Sequence, residues 1–391
     1  MKKIAFVNQR YGLEVNGGSE LYTRQVAEHL TDFYDVHVIT TCALDHVTWN
    51  NYYKPGEEII NNVTVHRFKT DLSRASNFSQ LTEQVMNYHN SVELQNKWID
   101  AQGPVSYDAI KYIEEHQDDY DVFIFVTYLY YLTVRGLEKV KDKSIFIPTA
   151  HDEPYIYLNV YNKIFTSPKA IFYLTTEEKE LVQTIFKNSN VMNDVIGVGI
   201  DIPQNINNSR FREKYNMNHD YILYVGRIEA SKGCDQLLNW FLDFKKRNVN
   251  SLKMVLIGKN VINIPKHNDI IHLGFVSEED KFNGICGAKA LILPSKFESL
   301  SIAVLEAMAC GVPVVVNGIC EVLKGHCKKS NAGLYYTDFL EFEGILNYIL
   351  VNTPQVNVMK KNGINYVNQN YRWNIVIDKI NKMINTIIEQ Q

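Results

Sequence analysis

The chain has 391 residues, of which 46% are hydrophobic and 21% are charged, and its formal net charge is −4. This composition is typical of a globular enzyme, and the length suits two doubly wound domains better than one. The net charge excludes a bulk basic field that would attract nucleic acid or an anionic membrane, so no nucleic-acid partner is expected.

The sequence also bears on the compartment. The first apolar run, residues 4–7, is too short for a signal peptide, and no segment reaches the roughly eighteen apolar residues of a membrane span. At most peripheral membrane contact is therefore expected. Six scattered cysteines without a CxxC pair indicate reduced thiols and hence a cytoplasmic location.

Short apolar runs alternate with helical patterns along the first half of the chain. The runs are rich in β-branched and aromatic residues without polar alternation, which is typical of strands buried on both faces of a parallel sheet. The predicted strands are 4–8, 36–40, 63–68, 122–127, 145–149 and 170–174, and the predicted helices are 20–30, 81–100 and 177–186.

A polar stretch at 197–215 interrupts this alternation and predicts a domain boundary. Strands are predicted again at 221–225, 253–257, 270–273, 290–293 and 312–316, and helices at 234–246, 278–283, 301–310 and 373–389. Two βαβ blocks predict an α/β protein with two doubly wound, Rossmann-like domains, 1–199 and 200–370, followed by a helix in 371–391. Ligands bind such sheets at the carboxyl ends of the strands, so the expected site is the cleft where the two domains face each other.

The segment from Pro294 to Pro313 carries the most informative chemistry. Glu298 precedes the predicted helix and Glu306 lies inside it. Both carboxylates can approach the helix N-terminus, where free amides and the helix dipole favour an anion. A diphosphate on these amides, with carboxylates bonded to sugar hydroxyls, would use this arrangement. The alternative is that Glu298 complements the dipole and Glu306 is a solvated helix residue. The amides in question belong to Ser299, Leu300 and Ser301.

A second segment, 224–233, follows a strand and opens a helix. Gly226 allows a tight turn at the strand end, and Arg227 and Lys232 flank the loop, where they could meet phosphate oxygens. For an isolated arginine and lysine, a solvated basic surface would be the simpler interpretation.

Together the two segments resemble glycosyltransferase family 4, whose members are retaining enzymes with the GT-B fold. Glu298 and Glu306 match the E-x7-E pair of that family, and residues 226–233 match its G-R-x4-K-G pattern. The resemblance implies that Glu306 binds the nucleotide ribose and Glu298 holds the donor sugar. It also implies that Arg227 and Lys232 neutralise the leaving diphosphate, while the amides of 299–301 contact sugar and phosphate. Ser-Leu-Ser stands at 299–301 where many members have Gly-Phe-Gly, which is expected to alter the donor sugar accepted.

The resemblance adds further candidates outside these two segments. Gly17 and Gly18 correspond to a glycine loop that faces the donor phosphates and the acceptor, although a glycine pair by itself is usually only a turn. His151 follows a predicted strand and matches a histidine that touches the donor sugar, with a satisfied polar residue as the alternative. Phe275 and Val276 correspond to a segment near the nucleobase.

Two other patterns are less specific. Tyrosines cluster after the predicted strands of the first half and would line an acceptor groove or pack in the core; they are Tyr128, Tyr130, Tyr131, Tyr155, Tyr157 and Tyr161. Asp119-Tyr-Asp121 is literally a DxD metal motif, but it precedes a strand instead of ending one, which indicates a solvated turn. No metal site and no cofactor are therefore expected.

The resemblance implies a retaining transfer of a hexosyl or N-acetylhexosaminyl group. The donor would be a nucleotide sugar, with a UDP-sugar favoured and a GDP-sugar open, and the acceptor a glycan, lipid-linked or other hydroxyl. Polysaccharide biosynthesis in a bacterium is the expected setting. One alternative is a sugar-nucleotide epimerase of the same fold. Another is a catalytically silent, glycosyltransferase-like binding subunit, against which the intact set of Arg227, Lys232, Glu298 and Glu306 argues.

Overall fold

The structure is a computed structural model that describes residues 1–87, 91–351 and 353–391. The chain divides into two compact units. The first unit combines Met1–Val198 with Asn374–Gln391, and the second comprises Gly199–Trp373. Each unit has its own largely parallel sheet and its own helices, which confirms the predicted α/β class.

The first unit is built on one sheet, which has eight strands within the described residues. Their order is β3-β4-β2-β1-β5-β6-β7-β8, and all neighbours are parallel except β3 and β4. The chain leaves β1 towards one side and returns at β5 on the other, so the strand order reverses between β1 and β5. The strands are β1 (Lys3–Val7), β2 (Asp35–Thr41), β3 (Gly56–Ile60), β4 (Val63–Phe68), β5 (Val122–Val126), β6 (Ser144–Ile147), β7 (Ala170–Tyr173) and β8 (Met192–Val195).

The α-helices of the first unit begin at polar caps in several places. Ser91, Ser106 and Thr175 each accept a hydrogen bond from the backbone N–H three residues further on, which satisfies one of the free donors of the first turn. The helices before the boundary are α1 (Gly18–Leu30), α2 (Phe78–Val85), α3 (Val92–Gln102), α4 (Tyr107–Glu115), α5 (Tyr131–Gly136), α6 (Asn162–Thr166) and α7 (Thr176–Phe186).

The second unit has a sheet of six strands within the described residues, ordered β11-β10-β9-β12-β13-β14 and parallel throughout. In this doubly wound order the reversal lies between β9 and β12, where ligands commonly bind. The strands are β9 (Tyr221–Val225), β10 (Lys253–Ile257), β11 (Ile270–Gly274), β12 (Ala290–Leu293), β13 (Val314–Asn317) and β14 (Gly333–Tyr336).

Seven helices accompany this sheet in the described part of the chain, and one further helix follows them. They are α8 (Asn208–Lys214), α9 (Cys234–Arg247), α10 (Glu278–Gly287), α11 (Ile302–Ala309), α12 (Glu321–Ser330), α13 (Phe339–Leu350), α14 (Pro354–Asn370) and α15 (Trp373–Glu389). Nearly all of α15 belongs to the first unit. There Lys379 Nζ donates to the carbonyl of Val195 at 2.9 Å, and apolar residues at helical spacing are buried.

The predicted elements differ from the structure in several places. The helix predicted at 81–100 is represented by α2 and α3, and residues 88–90 lie outside the described residues. The polar stretch at 197–215 contains α8, which was not predicted. The strands β3, β8 and β14 were also missed, and so were the helices α12, α13 and α14. Neither β3 nor β8 is an apolar run. No helix in the described ranges is both long and apolar enough to cross a membrane.

Candidate functional site

Two charged side chains meet where the strand order of the second unit reverses. Lys232 lies in the loop after β9, Glu298 lies in the loop after β12, and Lys232 Nζ donates to Glu298 Oε1 at 2.8 Å. Burial opposes the charge on Lys232, but the Glu298 carboxylate outweighs it and raises the pKa of the lysine. The ammonium group is therefore held positive, and it has three donors, of which Glu298 Oε1 takes one.

Glycines allow this loop to pack closely on its neighbours. Gly233, at φ +75°, is the N-cap residue of α9, and a Cβ there would lie 2.8 Å from the carbonyl oxygen of Pro294. A Cβ on Gly258 would collide with the carbonyl of Gly226. The backbones that end β9, β10 and β12 therefore approach one another more closely than side chains would permit, which brings Lys232 to Glu298.

Arg227 is the second predicted cation of this loop. Its Nη1 lies 3.3 Å from Glu229 Oε2, and about a third of its side chain is exposed. The hydroxyl of Tyr224 donates to the carbonyl of Arg227 at 2.7 Å, which fixes the backbone at the turn after Gly226. Both predicted cations thus lie in the loop after β9, each beside a carboxylate.

Glu306 is buried in α11, with 7% of the residue exposed. Lys281 of α10 donates to Glu306 Oε1 at 2.8 Å and also lies 2.7 Å from Glu278. Burial raises the pKa of Glu306 in spite of Lys281, whereas Glu306 raises the pKa of Lys281 against the effect of burial. The alternative interpretation, in which Glu306 is a solvated helix residue, is therefore wrong. A carboxylate has about four acceptor positions, so this one can accept further hydroxyl donors.

The segment 299–301 adopts a strained turn before α11. Ser301 has φ +69°, a region where a side chain costs about 1–2 kcal/mol relative to glycine. Leu300 is buried, and its carbonyl lies 2.8 Å from Nε2 of His326 in α12. Because a carbonyl can only accept, Nε2 carries a proton, while Nδ1 lies 3.1 Å from the hydroxyl of Tyr366.

His326 and Lys281 are residues that the sequence analysis missed. Each contacts a predicted site residue across a long stretch of chain, and neither belongs to a recognisable local pattern. Phe275 and Val276 lie in the loop after β11. Phe275 is 67% exposed, so its ring is available for contact with a ligand.

The glycine loop lies in the first unit. A Cβ on Gly17 would collide with the carboxylate of Glu20, which accepts from Arg10 Nε at 2.9 Å. Packing against this buried ion pair therefore explains why residue 17 is glycine. Gly18, the first residue of α1, has open space where a Cβ would be.

His151 lies in the loop after β6, also in the first unit. Its Nε2 is 3.5 Å from Glu153 Oε1, which accepts from the hydroxyl of Tyr128 at 2.5 Å. The loop is anchored by Glu178, a buried residue of α7 whose two carboxyl oxygens accept from the amides of Ala150 and Leu174. Burial raises the pKa of Glu178 to about 8.

Both aspartates of the DxD sequence form contacts within the protein. Asp121 accepts from the amide of Lys3 at 2.7 Å, and Asp119 Oδ2 lies 2.7 Å from His116 Nδ1. Across the described residues, no group of three His, Cys, Asp or Glu side chains is arranged to hold a metal ion.

The fold has counterparts among known structures. The chain is similar to Anabaena HepE, whose crystal structure is in complex with UDP and glucose. The two are 13% identical with a TM-score of 0.72, and the match covers 99% of this chain and 100% of that chain. The molecule therefore has the GT-B fold.

The amino-acid sequence also has relatives among the glycosyltransferases. Residues 205–366, within the second unit, match the family model described as Glycosyl transferases group 1. An uncharacterized glycosyltransferase of Methanocaldococcus jannaschii is 25% identical over 350 residues, which cover 82% of this chain and 83% of that protein. An uncharacterized 41.2 kDa protein in the cps region of Klebsiella pneumoniae is 32% identical over 105 residues, 26% of this chain but only 28% of that protein. Together these matches support the glycosyltransferase superfamily.

Proposed function

We propose that this protein is a retaining glycosyltransferase of family 4 that binds a nucleotide-sugar donor on its second unit. The observation that carries the proposal is the contact between Lys232 and Glu298 at the reversal between β9 and β12. Lys232 would meet the diphosphate as a cation, and the neighbouring Glu298 carboxylate would accept sugar hydroxyls. Glu306 and the start of α11 lie on the same short segment of chain as Glu298.

Departure of the nucleotide diphosphate is the step that most needs stabilisation. Lys232 would meet its oxygens as a point charge and Arg227 as a planar group with several donors. The amides of Ser299, Leu300 and Ser301 would add hydrogen bonds at the positive end of α11. Because these groups can supply the neutralising charge, we propose that transfer is independent of added metal, so that a chelator leaves the rate unchanged.

The two glutamates would orient the donor. Glu306 would accept the ribose hydroxyls, and Glu298 would accept hydroxyls of a hexosyl or N-acetylhexosaminyl group; each such charge-assisted bond contributes about 1.5–3 kcal/mol. We favour a UDP-sugar over a GDP-sugar, since the similar HepE is in complex with UDP. Phe275 and Val276 would lie near the base, and the sugar would leave with retention by front-face displacement.

The first unit would supply the remaining groups. His151 would touch the donor sugar, and the loop with Gly17 and Gly18 would face the phosphates and the acceptor. A glycan or lipid-linked hydroxyl is the proposed acceptor. All six cysteines are free thiols, which agrees with the proposed cytoplasmic location.

Calorimetric titration of the intact protein with UDP, GDP and ADP tests the donor site. Lys232→Ala and Glu306→Gln should each weaken binding of the preferred nucleotide by at least about tenfold, the loss of one charge-assisted bond. Lys246→Ala is the matched control, because Lys246 also pairs with a carboxylate at 2.8 Å but lies on the exposed surface of α9. It should bind like the wild type.

These experiments distinguish the proposed enzyme from a silent binding subunit and from an epimerase. A wild-type protein that binds none of the nucleotides would support a silent binding subunit, and unchanged affinity in both site variants would reject the assignment of residues. Incubating the protein with the donor alone addresses the epimerase, which would yield an isomerised sugar nucleotide without an acceptor.

A further inference from the structure

A second group of side chains converges at the carboxyl edge of the sheet in the first unit. Trp49 lies in the loop after β2, Arg74 in the loop after β4, and Tyr130 in the loop after β5. The Arg74 guanidinium lies 5.6 Å from the ring centre of Trp49 and 4.9 Å from that of Phe78, and the rings of Trp49 and Tyr130 are 5.3 Å apart. With Tyr155, from the loop after β6, these residues form what we call the Arg74 cluster.

Arg74 is unusual because it contacts aromatic rings but forms no polar contact with any described residue. A guanidinium carries five N–H donors, and that of Arg74 makes no hydrogen bond or ion pair with any described residue. Its Nε is buried without an acceptor. Arg10, by comparison, bonds the Glu20 carboxylate and the carbonyls of Leu44 and Asn16.

The position of Arg74 carries a free-energy cost that the described residues offset only in part. Burial lowers the pKa of Arg74, and Tyr130, Asp45 and Tyr155 act in the opposite direction. Among the described residues Asp45 forms no ion pair with Arg74, and its Oδ1 accepts from the amides of Val47 and Thr48. Cation–π contacts with the rings of Trp49 and Phe78 offset part of the free energy lost on burial. Such a desolvated, unsatisfied donor is expected at a site that an anion completes.

We propose that the Arg74 cluster binds a phosphate group carried by the sugar acceptor, with the aromatic rings packing against the sugar. This inference rests on the proposed function and narrows its acceptor to a phosphorylated sugar. The guanidinium matches two phosphate oxygens at once, and the surrounding rings supply the apolar surface typical of small-ligand sites. The cluster lies at the edge of the sheet where β1 and β5 reverse the strand order, the usual ligand position in this topology.

Calorimetric titration of the full chain with defined probes tests the proposal. The probes are glucose, glucose 1-phosphate and a short-chain prenyl diphosphate-linked N-acetylglucosamine, so that a soluble sugar phosphate is distinguished from a lipid-linked one. The wild type should bind at least one phosphorylated probe and should bind glucose at least about tenfold more weakly. Arg74→Met, which keeps the apolar stem, should weaken binding of that probe by at least about tenfold.

Two controls isolate Arg74. Arg135→Gln alters another arginine that lies over a tyrosine ring but is paired with Asp100 at 2.8 Å, and it should bind like the wild type. Lys232→Ala should bind the phosphorylated probes with wild-type affinity, because Lys232 belongs to the proposed donor site and not to the Arg74 cluster. Thermal unfolding is measured in parallel. Arg74→Met should be as stable as the wild type or more stable, since an unsatisfied buried donor is removed.

Three results would overturn the inference. These are a wild type that binds neither phosphorylated probe, an Arg74→Met protein that binds them normally, and an Arg74→Met protein that loses binding together with thermal stability. The failure of the proposed function looks different. In that case the wild type binds no nucleotide, whatever it does with the acceptor probes.

Discussion

Acidification should destabilise the first unit through two stacked histidines. His37 of β2 and His66 of β4 place Nδ1 and Nε2 2.8 Å apart, so one ring must donate and the other accept. Their rings are stacked and mostly buried. Burial and the neighbouring His37 lower the pKa of His66 to about 4, despite the carboxylate of Glu57 beside it.

The magnitude follows from this shift. An unfolded histidine has a pKa of about 6.5, so the unfolded chain binds the proton more tightly than the folded protein does. The stabilisation is fully present above pH 6.5 and is lost as the pH falls towards 4. For His66 alone the loss between pH 7 and pH 5 is about 2 kcal/mol, and it approaches about 3 kcal/mol below pH 4. His37, whose pKa is also lowered, adds in the same direction.

Hydrogen exchange measured at pH 7, 6 and 5 provides the assay, with β9 and β10 of the second unit as an internal reference. After correction for intrinsic exchange, the opening free energy of β2 and β4 should fall by about 2 kcal/mol more in the wild type than in His66→Gln. An equal fall in both proteins would refute the reasoning, and so would a His66 ring that titrates near 6.5 by NMR.

Two further predictions concern residues that hold the candidate site in place. His326→Phe should weaken nucleotide binding by about tenfold, because the hydrogen bond to the Leu300 carbonyl is lost. Adding Ser301→Gly to this variant should recover part of the affinity, since glycine adopts φ +69° without strain. Calorimetry that finds no recovery in the double variant would contradict this prediction. Glu178→Gln should lower the free energy of unfolding by about 1–3 kcal/mol, because an amide offers one acceptor oxygen for the two N–H groups of Ala150 and Leu174. Thermal unfolding beside Glu180→Gln, an exposed position on the same helix, measures it, and equal stability of the two variants would exclude the effect.

Burial explains which strands could be predicted. Every residue of β5, β7 and β12 is buried, so each of these strands appears in the sequence as an unbroken apolar run. The residues of β3, Gly-Glu-Glu-Ile-Ile, are mostly exposed at the edge of the sheet, where no such pattern is needed. Its existence depends on pairing with β4, which sequence periodicity does not encode.

The candidate site likewise contains some residues that the sequence predicts and others that it does not. Glu298, Glu306, Arg227 and Lys232 lie in two short segments whose spacing is visible in the chain. The groups that fix them are not visible, because they approach from distant elements. Lys281 reaches Glu306 across 25 positions, and His326 reaches Leu300 across 26. A solitary lysine or histidine on a helix carries no local sign of such a contact, so tertiary packing had to reveal it.

The arrangement of α15 affects how the protein is made. The second unit is an insertion within the first, since the chain leaves the first unit after Val198 and re-enters it at Asn374. During synthesis the second unit can therefore finish folding while the first still lacks the apolar face of its last helix. A ribosome that stops just before Asn374 would release a chain whose first unit, although translated long before, exposes the core surface that residues such as Ile380 and Ile384 would have covered.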